Sequence, residues 1–469
     1  MQGKKLYTPK LMYQVQLNDL VPKENFYRRL ETELDMSFLY KETAVYYGSE
    51  GQESIDPVVF FKLCLVGYLN NLNSDRKIIE YCSNCLDIRL FLKYDIDETL
   101  PWHSTISRTR QLYGEDVFLS LFRKILSLCV SKGMVRGKRQ AIDSAFVKAN
   151  ASMDSLIEKE ITNDAKVYSD ELNENSEYKI TSKKEEQKGA NNTTHYSTTD
   201  ADAKISVKPG KVTQLNYYGQ IAVDDSNHVI TGALADFANQ KDCQCLPNIL
   251  DQTIENLKEN EINIEQIVAD TNYSSGKALQ YCNNNNIDAY IPNIGTYKPS
   301  REGFIYDKEN DKYICTRGNK AELTFKNITS NKNNYFRIYL SDKKCKMCIL
   351  RTQCIGKSKY KKISDSVDKP YYDLMHNKMQ TPYAKKISRI RGATVEPVLG
   401  TLINFMGMKR LSSRGIKQAT KHVLMSALSY NLKKYMKYIK QISNSSVITL
   451  NLQTSPAFFR MLNIGFSTL

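Results

Sequence analysis

Long apolar stretches are missing from this chain. No run approaches the ~20 residues needed to cross a bilayer, and the first six residues, Met1 to Leu6, include two lysines and no apolar segment of the kind that directs secretion. Both absences lead us to expect a cytoplasmic protein with no membrane partner. Histidine is scarce as well: there are five in 469 residues, none at metal-binding spacing, so His103 and His195 read as structural. Eleven cysteines are too few in so long a chain for a disulfide framework, and in a reducing compartment some of them can hold metal instead. Acids are thin in one region only. From Lys343 to Lys440 there are 23 Lys or Arg against four acids, whereas the rest of the chain has 43 against 47. Charge that one-sided implies a polyanionic partner, most often nucleic acid. Tyr360, Tyr371, Tyr372 and Tyr383 are interleaved with these lysines as base-stacking or phosphate-contacting groups would be; a merely solvated basic face is the alternative.

What is present is a globular chain, 41% apolar and long enough for roughly two to four domains. Residues 1–135 read as an all-α N-terminal domain of short helices. One runs from Asn25 to Leu39 and one from Asp56 to Tyr68, with Pro57 in its first turn. A third, Asp75 to Cys82, would be capped by Ser74, and a fourth, Ile106 to Leu112, would be started by Ser104 or Thr105. Arg76, Lys77, Arg108 and Arg110 are spread over them as in a helix-turn-helix DNA reader, although any small helical bundle would look similar.

The stretch Arg139 to Asn150 organises the remainder. Ala141, Ile142, Ala145, Phe146 and Val147 suggest a buried strand with Asp143 in its middle. A carboxylate there is costly without a cation or hydrogen-bond partner, which points to metal binding or catalysis; an Asp at a strand end facing water is the bland reading. Residues 154–199 form a charged, polar insertion, with ten acids and six bases between Asp154 and Lys188. Leu215–Val223 and His228–Ala235 flank an Asp/Asn turn and read as a hairpin. The helix Cys245–Leu257 follows, then a strand from Ile264 that ends at Asp270, then the helix Lys277–Cys282. That order describes a mixed α/β sheet, in which ligands gather at the carboxyl ends of strands. Residues 136–292 are thus the first part of a core, and residues 384–443 its last part, with Ile416–Tyr438 a helix that covers the sheet. Residues 444–469 read as a loosely held tail. Between the two parts of the core, residues 293–383 form an insertion that looks β-rich at Gly303–Tyr306 and Lys312–Cys315. It holds Cys315, Cys345, Cys348 and Cys354, a lone cysteine followed by Cys-x2-Cys-x5-Cys. Four thiolates could close a tetrahedral structural zinc site; four reduced cysteines beside a basic surface are the alternative. Cys82 and Cys85 repeat the Cys-x2-Cys spacing within or at the end of a helix, where core packing is expected.

Asp143 in an Ile-Asp-Ser strand, Asp270 in Val-Ala-Asp-Thr-Asn-Tyr and Glu396 in Arg391-Gly-Ala-Thr-Val-Glu-Pro together resemble the DDE triad of bacterial insertion-sequence transposases. Supporting stretches are Asp200–Ala203, Tyr217–Asp224, Lys409–Gly415 and Asn431–Lys434. In the N-terminal domain, Asp19–Pro22, Gly51–Lys62, Ser74–Arg76 and Pro101–Arg108 resemble the helical domain that often precedes this core. The resemblance implies an α/β, ribonuclease H-like mixed-sheet catalytic core with an inserted β-rich segment, preceded by the all-α domain. It implies that Asp143 bridges two Mg²⁺ or Mn²⁺ ions, that Asp270 holds one and that Glu396, on a helix, holds the other. Two such ions supply an activated nucleophile and neutralise the leaving oxygen in phosphodiester cleavage, and hard carboxylate oxygens suit them. The implied partners are double-stranded DNA, both the element's ends and its target, and further copies of this chain as a dimer or larger synaptic complex. The places seven before, four before and seven after the glutamate, where relatives often carry Tyr, Arg and Lys, hold Arg389, Gly392 and Ile403. Phosphate contacts are therefore expected from Arg389, Arg391, Lys409, Arg410 and Arg414. Pro397 suggests a helix start or a kink at Thr394–Pro397. The rival readings are a transposase-derived DNA-binding protein that no longer cuts and a metal-dependent nuclease without strand transfer.

Overall fold

The computed structural model describes Met12, residues 14–48, Glu50, and residues 54–159, 190–207, 210, 212–295, 297–331 and 334–453. Most of the expected charged insertion, 160–189, and the end of the expected tail, 454–469, lie outside the described residues.

The chain opens with helices at Leu17–Leu20, Phe26–Glu33, Phe38–Thr43, Pro57–Leu69, Asp75–Asn84, Leu86–Leu92, His103–Leu112 and Glu115–Ser131. Asp56 caps the fourth of these, its Oδ1 accepting from the N–H groups of Val58 (2.6 Å) and Val59 (3.1 Å), and Pro57 sits where no N–H is needed. Phe60, Phe61, Leu63, Leu65 and Val66 are all fully buried, so this helix is the hub of the region. The single helix expected over Asn25–Leu39 is two. Asp35 accepts from both the N–H and the hydroxyl of Ser37, each at 2.9 Å, a local turn that competes with helix continuation. Arg110 is not free to contact DNA: it forms a two-pronged pair with Asp75 at 2.7 and 3.0 Å, both side chains largely buried. Arg76, Lys77 and Arg108 are exposed.

The central sheet is built from β1 (Arg139–Lys148), β4 (Lys204–Ser206), β5 (Gln214–Asp224), β6 (Ile230–Phe237), β7 (Gln266–Val268) and β8 (Asp288–Tyr290), while β2 (Leu156–Glu158) and β3 (His195–Ser197) pair separately. Its order is β6-β5-β1-β7-β8, with β4 also on β5. The β6–β5 and β5–β1 pairs are antiparallel, and β1–β7 and β7–β8 are parallel. Helix Asp242–Lys258 connects β6 to β7 and helix Gly276–Asn284 connects β7 to β8. Three antiparallel strands followed by two parallel ones, joined by helical crossovers, is the ribonuclease H-like arrangement.

Alternation along β1 sends Ala141, Ala145 and Val147 to one face and Ile142 to the other. The first face shares one continuous apolar core with the N-terminal helices: Phe61, Phe118 and Leu126 belong to the same cluster as Val147, Tyr217, Val398 and Leu428. On the second face, Ile142 packs with Leu246, Ile249, Ile267 and Leu279. Two long helices close the first face, Pro382–Phe405 and Ile416–Gln453. The former corrects the expected start at Thr394–Pro397. Thr381 caps it by accepting from the N–H of Ala384 (3.2 Å), and Pro382 takes the first turn. The helix then runs through Pro397, whose missing N–H spares only the carbonyl of exposed Ala393, which water can satisfy. The last helix continues to Gln453, past the division expected at residue 444.

Residues 304–366 carry a second, antiparallel sheet of β9 (Phe304–Asp307), β10 (Lys312–Cys315), β11 (Glu322–Asn331), β12 (Asn334–Ser341) and β13 (Lys362–Ser366), in the order β13-β12-β11-β10-β9. It has a small core of its own, Tyr313, Leu323, Tyr339 and Ile363. Among the described residues no helix is long and apolar enough to cross a membrane.

Candidate active site

Asp143 lies in mid-strand on the face covered by the helix Pro382–Phe405. β1 and β7 run parallel with Ala141 beside Val268, and two further steps along each chain bring Asp143 alongside Asp270. Asp270 has left the strand by then and caps the short turn Thr271–Tyr273, its Oδ1 accepting from the N–H of Asn272 at 2.9 Å and its Oδ2 from the Asn272 amide at 3.2 Å. Glu396 is delivered from the opposite side, half-way along its helix and exposed. Arg391, five residues earlier on that helix, ties the arrangement together. It donates from Nη1 to Oδ2 of Asp143 at 3.0 Å and from Nη2 to Oε1 of Glu396 at 3.3 Å.

Burial pushes the Asp143 carboxyl above the usual carboxylate range. The N–H of Ser144 and the Arg391 guanidinium pull it back, and the nearby charge of Asp270 adds to the rise. Below the site, the ring of Tyr273 is fully buried, its hydroxyl donating to Gln220 Oε1 at 2.7 Å. Ser144 Oγ donates to Asp242 Oδ1 at 2.5 Å, which fixes the end of helix Asp242–Lys258 to β1 next to Asp143. Neither Asp242 nor the bridging role of Arg391 was legible in the sequence. Asp242 stands 98 residues from Ser144 and Arg391 stands 248 from Asp143, with no local pattern linking them.

Of the residues expected to meet phosphate, Arg389, Lys409, Arg410 and Arg414 are exposed, whereas Arg391 is largely buried between the acids. The loop bearing Lys409 and Arg410 is pinned to the end of β1. The Lys148 N–H donates to the carbonyl of Lys409 (3.1 Å) and the Leu411 N–H to that of Lys148 (2.9 Å). At ~3.3 Å per residue these cations sit about 16 Å along the strand from Asp143. Asp200 and Asp202 hold the loop's far side, accepting from the N–H groups of Gly415 (3.2 Å) and Ile416 (3.0 Å).

Two transposase family models match the chain: a transposase domain (DUF772) over residues 15–112 and a transposase DDE domain over residues 314–436. The chain belongs to the DDE transposases. In this transposase the DDE-domain match contains Glu396, Arg391 and the cysteines of the inserted sheet, while Asp143 and Asp270 lie outside both matches. No curated protein sequence matches significantly. Among solved structures, a piggyBac transposase synaptic complex with hairpin DNA matches 94% of this chain and 82% of its own, at 11% identity and a TM-score of 0.31. So low a score adds nothing to the strand order described above. The ribonuclease H-like core and the helical N-terminal region are those of a transposase.

The donor set suits a hard divalent cation: three carboxylates of which one, Asp143, is largely desolvated and gains from a positive partner. Among the described residues no three acids, cysteines or histidines stand at the spacing of a ready-made metal cage. In the acid cluster the guanidinium of Arg391 occupies the space between Asp143 and Glu396.

Proposed function

We propose that this transposase binds the terminal inverted repeats of its own insertion sequence, cleaves the phosphodiester at each end and joins the freed 3′-hydroxyls to target DNA. One observation carries the reading. Asp143 on β1 and Asp270, just past the end of the parallel neighbour β7, come together at one end of that strand pair, and Glu396, on a packed helix, shares an arginine with Asp143. Asp143, Asp270 and Glu396 are the residues that would hold two Mg²⁺ or Mn²⁺ ions. When bound, such ions supply an activated nucleophile and charge neutralisation at the leaving oxygen.

The chain's own residues do the rest. The half-buried bond from Ser144 to Asp242 and the packing of Tyr273 keep β1 and the turn after β7 from shifting. Arg391 holds Asp143 and Glu396 in register before DNA arrives, and once displaced from the acids it is placed to meet a phosphate oxygen. Lys409, Arg410 and Arg414 line the continuation of β1 as a basic track for the backbone, with Arg389 on the exposed side of the Glu396 helix. Because two ends must be held together, the working form is a dimer or larger assembly. Cleavage takes place in the cytoplasm, on chromosomal DNA.

The test is cleavage of a DNA fragment carrying the element's own ends, with Mg²⁺, by wild type and by Asp143→Ala, Asp270→Ala and Glu396→Ala. Cutting by wild type and its loss in all three variants, with DNA binding retained, is the expected result. Binding without cutting by wild type would leave a DNA-binding protein descended from a transposase. Cutting without joined products would leave a nuclease.

A further inference from the structure

Cys315, Cys345, Cys348 and Cys354 come from three separate places in the chain and line one cavity of about 260 Å³ at the end of the inserted sheet. Cys315 ends β10. Cys345 lies in the short turn Lys343–Met347, Cys348 follows that turn, and Cys354 ends the short helix Arg351–Cys354. All four are free thiols. Cys345 is buried, which pushes its thiol above the usual range, and Cys315 and Cys348 are near enough to push it further. The loop after β10 passes so close to the Cys348 sulfur that a side chain at Gly318 would clash with it, and it touches the Cys315 sulfur as well. A Cβ on Gly318 would stand 2.7 Å from Cys348 Sγ and 3.9 Å from Cys315 Sγ. Four free thiols around one cavity, one of them pressed against a glycine backbone, supply the donor set of a metal–thiolate site.

We propose that these four cysteines form a structural Zn²⁺ site that fastens the basic segment 343–362 to the end of β10. Soft thiolate donors, four in number, select zinc over the hard cations suited to the acid cluster; Glu302, the carboxylate that also lines the cavity, is paired with Arg317. Binding would release the four thiol protons and leave a doubly negative centre, Zn²⁺ with four thiolates. Residues 343–362 supply eight Lys or Arg and no acid to offset it, and Arg317, Arg351 and Lys361 line the same cavity. The thiols do not stand at coordinating spacing as they are, and Cys354 is exposed at the end of its short helix. Zinc would therefore draw Cys354 inward and fix the run of lysines against the end of β10 as a cationic knob. This site is independent of the chemistry proposed for Asp143, Asp270 and Glu396 and would persist in a protein that does not cut DNA.

The experiment uses the full-length protein with zinc as the only added metal. Elemental analysis after extensive dialysis should find one zinc per chain in wild type. Cys345→Ser and Cys348→Ser should lose it, and Cys82→Ser, in the other Cys-x2-Cys pair, should keep it. Because a cysteine variant can misfold, the wild type is also read directly. Four cysteines should resist alkylation until a chelator is added, and Co²⁺ exchanged for zinc should give the intense absorption of a tetrahedral tetrathiolate. Zinc absent from freshly purified wild type, free alkylation of Cys315, Cys348 and Cys354 in the folded protein without chelator, iron in place of zinc, or zinc retained by both Ser variants would each overturn the proposal.

Discussion

Replacing Arg391 by Gln removes the cation that now stands where the carboxylates would receive metal. The Asp143 half of the bridge is well enclosed, with 16% of the Arg391 side chain and 19% of the Asp143 side chain exposed, and the donor lies 3.0 Å from the acceptor. A hydrogen bond between charged groups in such a place contributes about 1.5–3 kcal/mol. The Glu396 half, 3.3 Å long with 63% of the Glu396 side chain exposed, contributes well under 1 kcal/mol. A divalent ion must displace both contacts in wild type and neither in the variant, so Mn²⁺ should bind Arg391→Gln about ten- to a hundredfold more tightly. The measurement is isothermal titration of DNA-free protein with Mn²⁺. It should be run at pH 8, because losing the guanidinium lets burial push the Asp143 carboxyl further up and the acid must be ionised in both proteins. Arg389→Gln is the control: it removes the same charge from an exposed place on the same helix and should change affinity less than about threefold. Equal or weaker binding by Arg391→Gln would refute the reasoning, and would mean that the arginine positions the acids for metal rather than competing with it.

Three further outcomes are expected. His422 is buried, hydrogen-bonded through Nδ1 to the Tyr68 hydroxyl at 2.7 Å, and burial lowers its pKa from 6.5 to about 4. The unfolded chain therefore binds the extra proton first, so stability is full above pH 6.5 and falls as pH drops toward 4. Between pH 7 and pH 5 that is about 2 kcal/mol, visible in urea unfolding as a loss by wild type that His422→Gln does not share. Asp75→Ala leaves Arg110 charged and enclosed without its partner, and should cost about 3–5 kcal/mol of stability; a loss under 1 kcal/mol would show that the pair is not needed. If Lys409 and Arg410 meet DNA phosphates, changing both to Gln should lower the slope of log K against log salt concentration by about 2, whereas an unchanged slope would remove them from the track.

How far the sequence could be read depended on whether the relevant partner was local. Asp143 was visible because an acid in the middle of Ala-Ile-…-Ala-Phe-Val is anomalous within its own strand, and Asp270 because it follows a strand directly. A mixed α/β sheet followed from the order of those elements, and its ribonuclease H-like form from the resemblance. Glu396 had no such local signal and was found only by resemblance, and its helix was placed too late in the chain. Pro397 looked like a beginning, but Thr381 and Pro382 had already started the helix and the gap left by the missing N–H faces water. Charge was read least well. Arg110 and Arg391 look like their neighbours Arg108 and Arg389 in sequence, yet each is spoken for by an acid far away in the chain, Asp75 and Asp143.

The apolar body that joins the N-terminal helices to the sheet has an evolutionary consequence. Phe61, Phe118 and Leu126 lie in the same cluster as Val147, Tyr217 and Leu428, so the two regions cannot be inherited separately without exposing apolar surface. If the N-terminal helices read the element's ends, a lineage of such elements could not acquire new ends by trading its first 130 or so residues for a stranger's. Divergence would have to proceed one exposed side chain at a time, at places such as Arg76, Lys77 and Arg108, while the residues beneath them drift only as a matched set.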